Sequence, residues 1–169
     1  MKRLFKTFPI GNFDQEIPIN PHPGGFGTKR KFHIHEGVDL YCEENTPVLS
    51  VEDGTVIDIL PFTGKFAGSP WWEETHCVMI LGDSGLINYG EIRPANYLYP
   101  GLKVEQGSTI GFVKKVLKKD KGRPMSMLHF ELYDNLVKEP VEWKLGEKIP
   151  KGLLDPTKLL LKIKSHEKI

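Results

Sequence analysis

The chain has 169 residues, of which 39% are hydrophobic and 27% charged, values that are ordinary for one soluble globular domain. Its net charge of +1 excludes a protein that attracts nucleic acid or an anionic membrane through overall charge. No stretch approaches the roughly 20 apolar residues of a membrane span, and no apolar run follows the amino terminus. The chain as written therefore predicts a cytoplasmic protein, and secretion would require a leader outside this sequence.

The beginning of the chain is predicted to be irregular. Residues 1–32 are assigned to an amino-terminal arm packed on the domain, because residues 11–32 are rich in Pro, Gly and Asn. Residues 33–161 are assigned to the domain itself and residues 162–169 to a carboxy-terminal tail. Cys42 and Cys77 lack Cys-x-x-Cys spacing, and we expect two reduced, buried thiols, with one bridge between them left open.

From Val38 onward the chain reads as short strands separated by turns, which predicts an all-β domain of antiparallel sheets with a long groove. Asp53-Gly54 predicts one hairpin, and the Gly-Asp-Ser-Gly segment at residues 82–85 predicts another. Asp155-Pro156 predicts the start of a short closing helix over residues 157–161. The predicted strands are residues 38–41, 48–51, 55–60, 75–81, 86–89, 109–116 and 127–133.

The segment His35-Glu36-Gly37-Val38-Asp39 places an imidazole and a carboxylate four residues apart. On a flat strand they would lie roughly 13 Å apart, whereas bonds to zinc are only about 2 Å long. The backbone must therefore bend between them. Gly37 is predicted to permit the bend, because glycine lacks a Cβ and reaches conformations that other residues avoid. His33, just before this segment, is expected to line the same site.

Residues 127–133 (Met-Leu-His-Phe-Glu-Leu-Tyr) alternate strictly, which predicts a strand with one core face. His129 lies on the opposite, polar face, where it can meet His35 and Asp39. Two imidazoles and one carboxylate suit one zinc ion, and three protein ligands leave a position for water or substrate, as in catalytic sites. Any one of these histidines alone is more typical of an ordinary surface or core residue. The polar face consists of Met127, His129, Glu131 and Tyr133.

Two loops are candidates for lining the groove. Residues 61–75 contain Trp71 and Trp72, for which burial in the core is the favoured interpretation. Residues 114–123 carry six basic residues and one acidic residue, a composition typical of a solvated loop. Within that loop, Arg123 is expected to lie nearest the site.

The motifs together resemble the LytM/lysostaphin-type zinc endopeptidases, which cut peptide cross-links in bacterial cell walls. His35 to Asp39 resembles their H-x-G-x-D motif, and residues 128–131 (Leu-His-Phe-Glu) resemble the end of their H-L-H-F-E motif. Residues 46–56, 101–111 and 153–160 are similar to further segments of that family. The resemblance covers about residues 33–161. It implies the family fold, one zinc ion bound by His35, Asp39 and His129, and a peptide or cell-wall-type ligand in the groove.

The sequence departs from that family at two positions where the relatives have catalytic histidines. Glu91 follows Tyr89-Gly90 at one of them, and Met127 stands at the other. Glu91 can be interpreted as a general base, as a fourth zinc ligand, or as a position that has lost its function. Met127 cannot donate a hydrogen bond to a tetrahedral intermediate. That role falls to another donor, for which Arg123 and Tyr133 are the candidates.

Two functions are therefore compatible with the sequence. The first is a zinc hydrolase that acts on peptide or amide bonds with Glu91 as general base. The alternative is a catalytically inactive zinc-binding module that uses the groove to bind a peptide, a glycan or a partner protein. In either case Glu131 is expected to orient the His129 ring, since ligating histidines usually have such partners. The sequence does not indicate the oligomeric state.

Overall fold

The computed structural model describes residues 3–167 and has the predicted antiparallel β architecture, with one short helix near the carboxy terminus. Nine strands form one hydrogen-bonded sheet. In the described part of the chain, no helix is long and apolar enough to cross a membrane. The elements are β1 (Val38–Tyr41), β2 (Pro47–Leu49), β3 (Gly54–Thr63), β4 (Thr75–Gly82), β5 (Gly85–Pro94), β6 (Lys103–Val104), β7 (Thr109–Val113), β8 (Met127–Tyr133), β9 (Leu153–Leu154) and α1 (Thr157–Glu167).

The strand order of the sheet is β1-β8-β5-β4-β3-β6, with β7 paired to β2 and β5, and β9 paired to β8. The hairpin over residues 82–85 is confirmed, since Gly82 and Gly85 are direct partners. The hairpin predicted at Asp53-Gly54 is wrong, because β2 pairs with β7 and β3 pairs with β4 and β6. The Asp53 carboxylate accepts a hydrogen bond from the Gln106 backbone at 2.7 Å, which joins this turn to a distant loop.

The main apolar core lies on one face of the sheet and includes the amino-terminal arm. Strand β8 contributes Leu128, Phe130 and Leu132, as its alternation predicts. The arm is irregular, but its apolar side chains are buried in this same cluster, so the arm is part of the core that supports β1 and β8. The buried arm residues that belong to this cluster are Phe5, Phe8, Ile10 and Ile17.

Helix α1 begins after Asp155, whose Oδ1 accepts a hydrogen bond from the Thr157 backbone nitrogen at 2.9 Å, as in an N-cap. It continues to Glu167, beyond the predicted end at residue 161, because Leu160 and Ile163 lie one turn apart and bury on the core. Residues 162–167 are thus helical and not an irregular tail.

The tryptophan pair is placed differently from the expectation of burial. Trp71 is 64% exposed, Trp72 is half-buried, and neither belongs to an apolar core cluster. Trp72 instead forms a bridge with Leu117, which joins the tryptophan loop to the basic loop. Both cysteines are free, and Cys77 is buried whereas Cys42 is only partly so.

Candidate metal centre

Strand pairing brings two of the three predicted ligands side by side. Asp39 of β1 and His129 of β8 are direct partners in the antiparallel register. His35 precedes β1, and the chain bends at Gly37 before entering the strand. The bend predicted at Gly37 is confirmed; Gly37 has no positive φ, so the missing Cβ and not an unusual φ explains the glycine. A Cβ there would lie 2.4 Å from the Phe130 carbonyl oxygen, so glycine is needed for close approach to β8.

Three ligand atoms converge in this arrangement. Asp39 Oδ1 lies 2.9 Å from His129 Nδ1 and 3.2 Å from His35 Nε2, and the two ring nitrogens are 3.2 Å apart. Bonds of about 2.0–2.1 Å to a tetrahedral zinc imply ligand atoms about 3.3 Å apart, close to these distances. All three side chains are buried, and among residues 3–167 no fourth His, Cys, Asp or Glu completes the group.

The outer nitrogens of both histidines have acceptors of their own. His35 Nδ1 lies 3.0 Å from the Gly25 carbonyl oxygen, and His129 Nε2 lies 2.7 Å from Glu131 Oε1. We assign the ring protons to these outer nitrogens, since each has an oxygen acceptor there. The inner nitrogens then direct lone pairs at each other and at the Asp39 carboxylate. Three electron-rich atoms in van der Waals contact need a cation between them, so the residues present fit a zinc ion.

The other carboxylate oxygen of Asp39 is held by a residue that the sequence analysis did not single out. Arg30 Nη2 donates to Asp39 Oδ2 at 2.9 Å and to the Pro23 carbonyl at 2.7 Å. The Asp39 backbone nitrogen donates to the Gly24 carbonyl at 2.9 Å. The irregular arm therefore orients Asp39 at two points. No sequence spacing signals this contact, because Arg30 lies in a loop without periodicity.

The charges of the site shift the ionisation of its members. Burial acts to raise the pKa of Asp39, but the charge of His35 and hydrogen bonds with His129 and His35 hold it well below its usual range. Burial acts to lower the pKa of His129, but hydrogen bonds to Asp39 and Glu131 raise it well above its usual value. Without a metal ion both shifts favour the charged forms, in which a second ring proton of His129 lies between Nδ1 and Asp39; a metal cation bound there would replace that proton.

Glu91 lies beside this trio because of an irregularity in β5. Gly90 is the direct partner of His129, and the register with β4 shifts so that Gly90 and Glu91 together face one residue, a β-bulge. Glu91 has φ 63°, which is strained for a residue with a side chain. Its Oε2 atom is buried without a hydrogen-bond partner among the described residues. Burial, followed by the charge of Asp39, raises the pKa of Glu91 to about 8.

Three further predicted residues lie around the site without touching its centre. Tyr133 is buried, and its hydroxyl donates to Glu131 Oε2 at 2.5 Å, so it cannot serve as the predicted oxyanion donor. Arg123 is exposed, and its charge acts on Tyr41. His33 is half-buried and forms a bridge with Lys144; burial and then the charge of Arg30 lower its pKa.

Next to the trio, Tyr41 and Met127 are direct partners at the ends of β1 and β8. Tyr41 also lines a cavity of about 520 Å³ between the arm and the chain before β8. Burial, followed by the charge of Asp39, raises the pKa of Tyr41 to about 12, so the phenol stays protonated. The cavity is also lined by Phe13, Asp14, Cys42, Glu43, Met125 and Ser126.

Comparison with known proteins gives a family match and several structural likenesses. The model of peptidase family M23 matches residues 33–142, which is more than half of the chain. The catalytic domain of lysostaphin from Staphylococcus simulans is 17% identical, with 95% of this chain and 90% of that chain covered, at a TM-score of 0.50. No curated protein sequence matches the chain significantly.

Two longer proteins have the same fold. A putative glycyl-glycine endopeptidase LytM from Ruminococcus gnavus is 21% identical, with 95% of this chain and 61% of that chain covered, at a TM-score of 0.58. A zinc-containing peptidase from Vibrio cholerae is 23% identical, with 88% and 41% covered, at a TM-score of 0.52. At these identities the likeness demonstrates the fold, and this chain spans only part of both proteins.

Proposed function

Because the chain belongs to peptidase family M23, we propose that it is a zinc-dependent endopeptidase that hydrolyses peptide bonds in cell-wall-type peptides. The observation that carries the proposal is the trio of ligand atoms of His35, Asp39 and His129, which lie 2.9–3.2 Å apart with their outer contacts in place. One of the similar structures is a zinc-containing peptidase, and another is a putative glycyl-glycine endopeptidase, which supports a metal and a peptide substrate of this kind.

The ligand trio would hold one zinc ion through His35 Nε2, Asp39 Oδ1 and His129 Nδ1. When bound, zinc supplies Lewis-acid chemistry, polarising a carbonyl group and lowering the pKa of a water molecule. The protein's part is to keep these atoms in place. The Gly25 carbonyl and Glu131 hold the two rings, and Arg30 holds the second oxygen of Asp39. Outer partners of this kind typically change metal affinity or activity about 10–100-fold.

Glu91 is the general base in this proposal. As the water oxygen adds to the carbonyl carbon, Glu91 takes a water proton and the carbonyl π electrons move to the oxygen. When the carbon–nitrogen bond breaks, Glu91 gives that proton to the leaving nitrogen. The unpartnered Oε2 of Glu91 is available for this proton, and a cation at the trio would lower the pKa of Glu91 from about 8.

Glu91 as a general base is better supported than Glu91 as a fourth ligand. The group of close ligand atoms contains His35, Asp39 and His129 but not Glu91. A Glu91 carboxylate that closed the metal site would have to lie as near to the other three as they lie to one another. The family match and an acid–base group beside the trio favour a hydrolase over the inactive binding module.

The direct test is cleavage by metal-loaded protein. Protein loaded with zinc and protein stripped by a chelator are incubated with an oligoglycine peptide and with purified peptidoglycan, and new amino groups are counted. We expect cleavage only with zinc, restored on adding zinc back to the stripped sample. The His35→Ala variant, treated identically, controls for contaminating hydrolases. Absence of cleavage of both substrates by zinc-loaded protein would contradict the proposal.

A further inference from the structure

The register of β1 and β8 places two pairs of residues on the face of the sheet that carries the metal centre. Asp39 faces His129, and two residues along each strand Tyr41 faces Met127. The intervening Leu40 and Leu128 point into the core on the other face. The Tyr41–Met127 pair therefore lies one step from the ligand pair, about 7 Å along the strands. Of the two side chains of this pair, only Tyr41 has a proton to donate in a hydrogen bond.

The hydroxyl of Tyr41 is a free donor at this place. Among residues 3–167 no hydrogen bond involves it, and the residue is half-buried. A Cβ on Gly24 would lie 2.6 Å from this hydroxyl, and the carbonyl of the same Gly24 accepts the backbone hydrogen bond of Asp39. The hydroxyl thus lies against the segment that positions a metal ligand.

Tyr41 also belongs to the wall of the 520 Å³ cavity, whose lining includes Met125 and Ser126 just before β8. Tyr41 consequently lies between the ligand trio, two residues away along β1, and the cavity that it helps to line.

We propose that Tyr41 supplies the hydrogen bond that Met127 cannot, donating its phenolic proton to the oxygen of the tetrahedral intermediate. This inference rests on the proposed hydrolase function and adds a catalytic residue to it. No proton is transferred from Tyr41: the hydrogen bond strengthens as negative charge develops on the substrate oxygen and weakens when the carbonyl re-forms. Arg30 is a poorer source of this bond, because its Nη2 and Nε atoms are already donating to Asp39 and Pro23.

The first experiment compares Tyr41→Phe with the unaltered protein, both loaded with zinc. Phenylalanine keeps the ring beside Gly24 and His22 and removes only the hydroxyl. Removal of one oxyanion donor costs about 100- to 1,000-fold in kcat, so we expect a loss of that order with little change in KM or in zinc affinity. Tyr99→Phe, in which an exposed phenol is removed, is the matched control.

A second readout does not need turnover. The phosphinic analogue of triglycine carries a tetrahedral anionic centre, whereas triglycine itself does not. We expect Tyr41→Phe to weaken binding of the phosphinic analogue by a factor similar to the loss in kcat and to leave triglycine binding unchanged. Met127→His should restore both quantities in the Tyr41→Phe protein and give a smaller gain in the protein that retains Tyr41, because the two side chains supply one bond.

The outcomes separate this inference from the proposed function. Equal kcat and equal phosphinate affinity for Tyr41→Phe and unaltered protein overturn the role of Tyr41 while the hydrolase stands. A loss of zinc affinity in Tyr41→Phe that matches the loss of kcat also overturns it, because the hydroxyl would then act through the metal site. If nothing is cleaved, the hydrolase falls, and the phosphinate still decides: weaker binding by Tyr41→Phe supports the donor, and equal or absent binding overturns it.

Discussion

His129 Nε2 lies 2.7 Å from Glu131 Oε1, so the imidazole is held from behind by a carboxylate on the same strand face. Glu131 is itself fixed, since Tyr133 donates to its second oxygen and Asn88 Nδ2 lies 3.3 Å from the same atom. The position of His129 Nδ1 beside Asp39 and His35 therefore depends on a chain of buried hydrogen bonds, which continues from Tyr133 to the Val141 backbone.

Glu131→Gln is expected to lower zinc affinity about 10–100-fold, because a neutral amide is a weaker acceptor for the His129 ring proton. The measurement is a competitive zinc titration against a fluorescent chelator. Glu105→Gln, which neutralises an exposed carboxylate, is the control and should bind zinc normally. An unchanged affinity for Glu131→Gln would show that the hydrogen bond does not orient the ligand.

Alanine at His35, Asp39 or His129 should each lower zinc affinity by more than the roughly 100-fold upper cost of losing an outer partner, because only two ligands remain. His166→Ala, at an exposed position on α1, serves as a histidine control. Zinc content after dialysis and titration of the stripped protein give the comparison. Full zinc retention by any of the three variants would remove that residue from the ligand set.

Glu91→Gln should keep zinc affinity nearly unchanged and lower the cleavage rate about 100- to 10,000-fold, the range of general-base contributions. The amide preserves shape and removes the proton acceptor. Zinc titration and oligoglycine cleavage on the same sample separate the possibilities. Loss of zinc would indicate a fourth ligand, and unchanged cleavage by an active variant would indicate a position without function.

The raised pKa of Glu91 also predicts how stability depends on pH. The pKa of Glu91 in the metal-free folded protein is about 8, against an ordinary value of 4.5. Between these values the unfolded chain releases this proton and the folded chain keeps it, so rising pH favours unfolding. Urea unfolding of stripped Glu91→Gln should therefore show a stability gain over the unaltered protein that is larger at pH 8 than at pH 5. Parallel pH profiles would contradict this assignment.

Gly37→Ala should destabilise the protein by about 1–3 kcal/mol, the usual cost of forcing extra atoms into a packed site. The added Cβ would lie 2.4 Å from the Phe130 carbonyl oxygen, and the backbone has to move for the two to separate. Because that movement separates β1 from β8, zinc affinity should fall as well. Gly11→Ala has open space around its Cβ and should unfold at the same urea concentration as the unaltered protein.

The sequence predicted those parts of the structure that depend on local pattern. Strict alternation located β8 and its core face, because side chains on a strand have a period of two. Local pattern did not predict the strand pairing at Asp53-Gly54. The two residues favour a turn, but β2 pairs with β7 and β3 pairs with β4, and these partners lie far away in the sequence. Spacing alone predicted the bend at Gly37 and the need for a residue without a Cβ, but not that β8 is the strand whose close approach requires it.

The candidate site likewise combines features that the sequence predicts with features that depend on the folded structure. The trio of His35, Asp39 and His129 was predicted by residue type and family resemblance, and the structure brings the three ligand atoms together. Arg30 had no sequence signal, since its partner is known only once the arm is folded over β1. The pairing of Tyr41 with Met127 is likewise a property of strand register, which no single segment encodes.

The arm that carries Gly24, Gly25 and Arg30 precedes residues 33–142, the part that matches the family, yet it contacts two of the three ligands. If the proposed zinc ion binds, docking of this segment and binding of the ion are linked equilibria, and each strengthens the other by the same factor. Metal loading should then slow amide hydrogen exchange at Asp39, because its N–H donates a hydrogen bond to the Gly24 carbonyl oxygen. Conversely, cutting the chain between Phe32 and His33, where the arm ends, should weaken binding of the ion although all three ligands remain in the domain.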